Sequence, residues 1–390
     1  MRIFYAAGPG KVIDAHKSWE RGTHHPDEVA LTYSGQFADY CLEMGAKAYV
    51  ISSNPDRRVY RTGNFVLEHR PKLMPCATGV RYHLSETLYG LSLFAAAFRF
   101  RSSIAVLSAG TTHPFIMSLF RMSGMRVVPV LHNTLWPAGK ALPKGRIQMV
   151  LTKLNAAFFR FFATATICIS PTCKRQVQSL GGHNVHLMLP QFRRQYFDNV
   201  SPPPEHKARP FRIAFAGRIE RAKGVFDILE AARLIEAERP GAVHWEVCGD
   251  GPELDRFREQ CIRSTLVNVV RINGWTPPAK LRDVIARSHA VIVPTRSDFV
   301  EGMAKTAVEA ILAGRPVITN AGVPALEMLR PACVEAEADN PKSYATAVIA
   351  LVDDAARYLC LREATYSLAE PFYNKGNGFS AALKSAIGTR

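Results

Sequence analysis

The sequence predicts an α/β fold made of two doubly wound, Rossmann-like domains, because strand-like and helix-like segments alternate in two successive series. At 390 residues the chain has the length of two ordinary domains. A proline-rich segment at 201–207 separates the two series and is typical of a linker. Parallel sheets bind ligands at the carboxyl ends of their strands, and we expect the two domains to face each other across a cleft.

The first series predicts an N-terminal domain over residues 1–200. Short apolar runs, which we interpret as buried strands, alternate with longer runs interpreted as helices. The strands are expected at 2–7, 48–52, 104–108, 127–131 and 166–169. The helices are expected at 34–44, 84–98, 113–122 and 147–163, with Ser34 as the N-cap of the first.

The second series predicts a domain over residues 201–370. Its strands are expected at 211–216, 244–248, 269–273, 290–294 and 316–319. Its helices are expected at 224–235, 252–261, 279–286 and 303–312. The tail, 371–390, follows this complete series, and we expect its helix at 379–387 to pack back on the first domain.

Composition excludes several classes of protein. Hydrophobic residues make up 47% of the chain and glycine and proline are near their average shares, which excludes a disordered or collagen-like protein. No apolar run is long enough to predict a spanning helix. The eight cysteines form no Cys-x-x-Cys pair, so we predict no metal site and a cytoplasmic location. We interpret His24 and His25 as polar loop residues, not metal ligands.

The segment after the strand at 211–216 carries the first chemical signal. Gly217 ends the strand, and Arg218 and Lys223 stand five residues apart before a helix. Two cations at a helix N-terminus suit a diphosphate, because the helix amides donate hydrogen bonds and the side chains supply charge. A solvated basic loop would have the same residues.

Two later loops carry further signals. Gly249 and Gly251 follow a strand and permit a ligand to approach the backbone closely, although ordinary turns also use glycines. Seven residues separate Glu301, in a loop, from Glu309, in the next helix. Carboxylates there accept hydrogen bonds from sugar or ribose hydroxyls, while the helix-start amides meet phosphate. Two ordinary helix glutamates would have this spacing by chance.

These motifs occur together in one order, followed by the segment Ala313-Gly314-Arg315-Pro316. The set resembles the retaining glycosyltransferases of family 4, which have the GT-B fold. The resemblance extends over about 211–352 and is weaker in the first domain, where Val130-Leu131-His132-Asn133 is similar to the family.

The resemblance implies a role for each matching residue. Arg218 and Lys223 would bind the donor diphosphate, Glu309 the ribose, and Glu301 the hydroxyls of the transferred sugar. His132 would lie over that sugar, near the anomeric carbon. The remaining donor contacts would come from Gly217, Gly249, Gly251, Gly302, Met303, Ala304 and Lys305.

Other implications and departures accompany these roles. Gly35 would line the side of the cleft that holds the diphosphate, and Gly8 and Gly10 are the alternative residues for this role. The family uses no metal, since two cations do the work of a divalent ion. The chain departs from the family pattern at Ala304, where a glycine is common, and at Lys305, where an apolar residue is usual.

Charge is distributed unevenly between the two domains. Residues 1–200 hold 24 Lys and Arg against 10 Asp and Glu, and residues 201–390 hold 25 against 23. Arg146, Lys153 and Arg160 recur every seven residues in an apolar helix, which favours contact with an anionic bilayer, although a core helix with a solvated basic face has the same pattern. No motif supports binding of nucleic acid.

The sequence therefore predicts a retaining glycosyltransferase that uses a nucleoside-diphosphate sugar and no further cofactor. We expect a lipid-linked or glycan acceptor and a peripheral position on the inner face of the membrane. The alternatives are a sugar-nucleotide epimerase, a phosphorylase-like GT-B enzyme, or a non-catalytic subunit that anchors a partner at the membrane.

Overall fold

The computed structural model describes residues 1–23, 28–74, 78–142 and 145–388, with only the backbone of Arg146. These residues form two compact units. The first comprises Met1–Leu135, Leu142–Gln191 and Asn374–Arg390. The second comprises Trp136–Ala141 and Phe192–Tyr373. Each unit contains one mainly parallel sheet with helices, so the predicted α/β class with two Rossmann-like domains is confirmed.

The first unit is built on a sheet of eight strands among the described residues. In chain order they are β1 (Arg2–Ala7), β2 (Lys47–Ser52), β3 (Arg58–Thr62), β4 (Phe65–His69), β5 (Ile104–Ser108), β6 (Arg126–Leu131), β7 (Thr166–Cys168) and β8 (Val185–Leu187). Their order in the sheet is β3-β4-β2-β1-β5-β6-β7-β8. Neighbours run parallel except β3 and β4, which form an antiparallel hairpin at one edge. The chain reverses its direction across the sheet between β1 and β5, which makes that position the switch point.

Helices connect these strands and cover the sheet. They are α1 (Val12–Glu20), α2 (Tyr33–Glu43), α3 (Gly79–Arg99), α4 (Pro114–Met122), α5 (Arg146–Phe161) and α6 (Pro171–Ser179). The cap predicted at Ser34 is wrong, since the hydroxyl of Thr32 accepts the hydrogen bond from the Gly35 amide (3.0 Å). The long helix begins at Gly79, five residues before the predicted start, and its first turns are mostly exposed.

The second unit is built on a sheet of six parallel strands. They are β9 (Phe211–Ala216), β10 (Val243–Cys248), β11 (Val270–Gly274), β12 (Ala290–Val293), β13 (Val317–Asn320) and β14 (Cys333–Ala336). The order is β11-β10-β9-β12-β13-β14, which puts the switch point between β9 and β12. The loops that follow these two strands hold Gly217 to Lys223 and Glu301 to Ala304, so the fold brings these predicted site segments to adjacent strand ends.

The helices of the second unit precede and follow its strands. They are α7 (Arg194–Asp198), α8 (Val225–Glu238), α9 (Leu254–Arg263), α10 (Pro278–Ala286), α11 (Lys305–Leu312), α12 (Leu326–Leu329), α13 (Pro341–Asp353) and α14 (Ala355–Ala369). The helix predicted from residue 303 begins at Lys305, so Glu309 lies little more than one turn into it and not two. The strand β14 and the helices α13 and α14 complete the unit and were not among the predicted elements.

The chain then returns to the first unit as α15 (Phe379–Ile387). This helix packs against α2, and the Phe379 amide donates to the Gln36 side chain (2.7 Å). The ring of Phe379 lies 6.0 Å from that of Tyr5 in β1. Across the described part of the chain, none of the helices combines the length and the apolar character needed to cross a membrane.

Candidate functional site

The loops that follow β9 and β10 are bonded to each other through their backbones. The Gly217 amide donates to the Cys248 carbonyl (3.1 Å), and the Ile219 amide donates to the Asp250 carbonyl (2.9 Å). Gly249 has φ +144°, and a Cβ there would lie 1.8 Å from the Gly217 carbonyl oxygen. Glycine is therefore required at 249 for the two loops to pass this closely.

These loops form one side of a pocket of about 250 Å³ in the second unit. Residues that follow three neighbouring strands line it, together with one residue of α10: Ala216, Gly217, Arg218, Cys248, Gly249, Asp250, Trp275, Thr276 and Leu281. The Trp275 side chain is 65% exposed. An indole with an open face can stack on a planar ring, while the backbone amides of glycine loops can approach phosphate. Trp275 directly follows β11, and nothing in the sequence alone assigned it a role.

Arg218 and Lys223 lie in one segment and have different surroundings. Arg218 is mostly exposed, and its guanidinium pairs with Glu220 (2.9 Å). Lys223 ends a short 3₁₀ turn, Arg221–Lys223, and is largely covered. Its ammonium group pairs with the Glu301 carboxylate and lies 4.2 Å from the centre of the Phe299 ring. The two predicted phosphate ligands are thus both near the end of β9, and each is held by a carboxylate of its own unit.

Glu301 is a buried loop residue that receives several hydrogen bonds. The Gly302 amide donates to one carboxylate oxygen (3.1 Å), and the Thr295 hydroxyl donates to the other (3.4 Å). With Lys223 on the same oxygen as Thr295, the carboxylate is held in one orientation. The arrangement can present its oxygen atoms to hydroxyl donors of a ligand.

Glu309 lies on α11, and burial raises its pKa to about 7, with the charge of Lys305 opposing the shift. A carboxyl group with this pKa is both a donor and an acceptor near neutral pH. At the start of the same helix the hydroxyl of Thr306 donates to the Ala216 carbonyl (2.9 Å), which ties α11 to the end of β9. Ala304, the N-cap, has φ +50°, a left-handed conformation that favours glycine.

Sequence reasoning missed a largely covered ion network at the loop that follows β12. Arg296 donates to both carboxylate oxygens of Asp227, each at 2.9 Å, and its Nε lies 3.5 Å from Asp339. Asp339 accepts from the backbone amide of Ser297 (3.1 Å) and from its hydroxyl (2.5 Å). The network joins the loop after β12 to α8 and to the chain after β14. The only sequence signal was the polar run Thr295 to Asp298 after a buried strand.

His132 is the predicted site residue of the first unit. It follows β6 directly, and its Nε2 lies 3.4 Å from the hydroxyl of Ser108 at the end of β5. The ring of Tyr33 lies 4.6 Å from the imidazole, at the start of α2. Burial raises the pKa of the neighbouring Tyr5 to about 12, so this phenol stays neutral. The fold thus places His132 near the switch point, among groups that hold its ring. Gly35 donates its amide to the Thr32 cap.

Some predictions concern residues that the structure does not describe, or a site that it does not show among the described residues. His24, His25 and Asp27 lie outside the described residues, as does the side chain of Arg146. Among the residues with described positions, no group of three or more His, Cys, Asp or Glu side chains is arranged to hold a metal ion. The roles of all these site residues stay predictions.

Part of the second unit is similar to known proteins in sequence. Residues 197–367 match the model of the family Glycosyl transferases group 1. A 2-deoxystreptamine N-acetyl-D-glucosaminyltransferase of Niallia circulans is 31% identical over 29% of this chain and 28% of its own length. A D-inositol 3-phosphate glycosyltransferase of Catenulispora acidiphila is 32% identical over 42% of this chain and 40% of its own length. The chain thus matches less than half of each of these relatives.

Solved structures with the same fold match almost the whole chain. Sucrose-phosphate synthase from Thermosynechococcus elongatus has a TM-score of 0.70 at 14% identity, over 98% of this chain and 96% of its own. HepE of Anabaena in complex with UDP has a TM-score of 0.66 at 14% identity, over 96% of both chains. These similarities show that the chain has the GT-B fold of those proteins.

Proposed function

We propose that the protein is a glycosyltransferase, because residues 197–367 match the model of the family Glycosyl transferases group 1. It moves a sugar from a nucleoside-diphosphate sugar to an acceptor hydroxyl, with retention of the anomeric configuration. The observation that carries this proposal is the cationic segment beside the pocket: Arg218 lines the pocket and Lys223 ends the following turn. The two relatives that match in sequence are both glycosyltransferases, which supports the reaction class.

The donor would bind at the switch point of the second unit. In this proposal Arg218 and Lys223 bind the diphosphate, and the amides from Gly302 to Lys305 add phosphate contacts at the start of α11. The base stacks against Trp275, whose open indole borders the pocket. Glu309 accepts from the ribose, and Glu301 accepts from hydroxyls of the transferred sugar. HepE was solved with UDP, which supports a nucleoside diphosphate as the ligand class.

The chemistry proceeds on one face of the sugar. The bond between the anomeric carbon and the diphosphate oxygen breaks as the acceptor oxygen bonds to the same carbon. The acceptor proton passes to an oxygen of the leaving diphosphate. Arg218 and Lys223 stabilise the charge that develops on this leaving group, and neither a metal ion nor another cofactor is needed. The contact of His132 with the transferred sugar is part of the same proposal.

The acceptor is proposed to be a lipid-linked glycan, used in the assembly of a surface polysaccharide or glycolipid. The excess of 24 Lys and Arg over 10 Asp and Glu in residues 1–200 supports this acceptor class. Of these cations only Lys140, Arg193 and Arg194 belong to the donor-binding unit, so donor charge does not account for the excess. The protein would then work at the inner face of a membrane.

The experiment has two steps. Thermal shift with UDP-, GDP- and ADP-sugars identifies the donor, and we expect one nucleotide to raise the melting temperature clearly above the others. The matching sugar is then incubated with membrane lipid extract, and the anomeric configuration of the product is read by NMR. Inversion would contradict the retaining mechanism. Conversion of the sugar nucleotide without transfer to an acceptor would support an epimerase instead. No stabilisation by any nucleotide would contradict the proposal.

A further inference from the structure

Two helices of the first unit turn regular apolar stripes toward solvent. On α3 the exposed apolar residues recur at Val80, Leu84, Leu88 and Leu91, and on α5 they are Ile147, Met149, Val150 and Leu154. Their exposed fractions range from 38% to 82%. Spacings of three and four residues place the four residues of α3 near one helix face, and do the same for Ile147, Val150 and Leu154 of α5, a pattern that ordinarily faces a core. Met149 lies on another face of α5, and we call the other seven residues the α3–α5 surface.

The other ends of both helices are packed into the core. Phe158 and Phe159 of α5 are each 1% exposed, and Leu93 and Ala97 of α3 are fully buried. The α3–α5 surface therefore occupies the N-terminal part of each helix, up to Leu91 and Leu154, while Phe98 and Phe161 are separate exposed rings near the C-terminal ends. The helices themselves are anchored, so the exposed stripes are a fixed feature of the folded unit.

The sheet topology places both N-terminal halves at the functional edge. The connections from β4 to β5, β5 to β6 and β6 to β7 all proceed in the same direction across the sheet, so right-handed crossovers put α3, α4 and α5 on one face. Each helix begins at the carboxyl end of the strand before it. Ser108 and His132 follow β5 and β6 at this same edge. The α3–α5 surface thus flanks the predicted site of the first unit.

The charge of this region determines which partner fits it. Within the first unit, residues 87–135 and 142–191 contain ten Lys and Arg and no Asp or Glu. Arg81 and Lys153, one on each helix, are exposed. The carboxylate of Glu86 on α3 is buried and pairs with Lys72. Two copies of such a surface would repel each other, whereas an apolar surface with cations suits a bilayer that contains anionic lipid.

We propose that the α3–α5 surface docks on an anionic bilayer and brings the edge that carries His132 to the level of the lipid headgroups. Docking would give access to a lipid-linked acceptor, and this purpose rests on the proposed function. The sequence predicts contact with the bilayer for the helix that carries Arg146, Lys153 and Arg160. The proposal adds α3 to this contact. Docking itself can be measured without any sugar transfer.

The experiment compares binding of the full chain to vesicles of equal parts phosphatidylglycerol and phosphatidylcholine with binding to phosphatidylcholine alone. One variant removes apolar surface (Leu84→Gln, Ile147→Gln and Val150→Gln together). A second removes charge (Arg81→Gln with Lys153→Gln). The matched control is Leu42→Gln, Ile262→Gln and Val267→Gln, whose residues are 67%, 66% and 56% exposed but lie on α2, on α9 and in the loop after α9.

We expect the wild type and the control to bind anionic vesicles alike and to bind neutral vesicles little. The apolar variant should bind at least about tenfold more weakly, and the charge variant about fivefold more weakly per cation. Salt at about 0.5 M should release the wild type, because screening shortens the range of the attraction. Circular dichroism and UDP affinity without vesicles show whether each variant is folded.

Docking would be overturned if the protein bound both kinds of vesicle equally, or if the apolar variant bound anionic vesicles as tightly as the wild type does. It would also be overturned if the wild type bound no vesicles and formed a dimer that dissociates in the apolar variant. Failure of the proposed function gives a different pattern. In that case binding of every nucleoside diphosphate tested and sugar transfer are absent while binding to anionic vesicles persists and depends on the α3–α5 surface.

Discussion

Lys223 and Glu301 are 78 residues apart in the chain and form an ion pair in the folded second unit. One follows β9 and the other follows β12, the two strands that flank the switch point. The pair is largely covered, and the Phe299 ring lies against the ammonium group. A residue predicted to bind phosphate is therefore paired with a residue predicted to bind the sugar. A bound diphosphate would have to share or replace this carboxylate.

The first prediction concerns the two cations. Arg218→Ala and Lys223→Ala should each weaken UDP binding by about 1.5–3 kcal/mol, the value of a charge-assisted hydrogen bond. Isothermal titration calorimetry measures the loss. Arg263→Ala is the matched control, because Arg263 is also exposed and paired with a glutamate but lies on α9, away from the pocket. Wild-type affinity in both site variants would contradict the donor assignment.

The second prediction concerns the ion pair itself. Lys223→Met should lower the free energy of unfolding by about 1–3 kcal/mol, because it leaves the buried Glu301 carboxylate without its cation. Adding Glu301→Gln should restore much of this loss, since the neutral amide has no charge to compensate. Urea unfolding of the wild type, the two single variants and the double variant gives the coupling energy. Additive effects would mean that the pair does not contribute to stability.

The third prediction concerns the raised pKa of Glu309. The folded state holds this proton more tightly than the unfolded chain, whose reference value is 4.5. The resulting stabilisation is present below that value and is lost as the pH rises through about 7. The difference in free energy of unfolding between Glu309→Gln and the wild type should therefore change in favour of the variant by about 1–3 kcal/mol from pH 5 to pH 8.

Urea unfolding at both pH values measures this difference. A Glu309→Gln difference that is the same at both values would mean that the carboxyl titrates alike in the folded and unfolded chain.

The fourth prediction concerns the left-handed backbone at Ala304. Its φ of +50° strains an L-residue, and glycine relieves that strain at some cost in chain entropy. Ala304→Gly should raise the free energy of unfolding by up to about 1 kcal/mol. Ala356→Gly, in the exposed part of α14, should lower it by about 1 kcal/mol. Thermal unfolding of both variants would test the contrast, and equal destabilisation would argue against strain at 304.

The fifth prediction concerns metal. Arg218 and Lys223 would supply the positive charge that a divalent ion supplies elsewhere, so sugar transfer should continue in EDTA. Turnover is measured with and without chelator, then with manganese or magnesium added back. Activity that disappears with EDTA and returns with the ion would reject a metal-independent mechanism.

The sequence determined the fold class and most elements that surround the candidate site. The strands at 104–108 and 211–216 were predicted with the bounds that the structure has, because buried parallel strands are short, continuous apolar runs. The loops at the ends of β9, β10 and β12 were identified by local chemistry, such as glycine where the backbone passes close to a neighbour. These features depend on residues adjacent in the chain, and a linear pattern reveals them.

Tertiary structure alone decided which distant groups meet. The edge hairpin of β3 and β4 was not predicted, because an exposed edge strand such as Arg58–Thr62 lacks a buried run. The pairing of Lys223 with Glu301, and of Arg296 with Asp227 and Asp339, depends on strand order across the sheet. The raised pKa of Glu309 and the solvent exposure of apolar stripes on α3 and α5 depend on what packs against each helix. Burial and electrostatic coupling are properties of three-dimensional surroundings, which residue order does not specify.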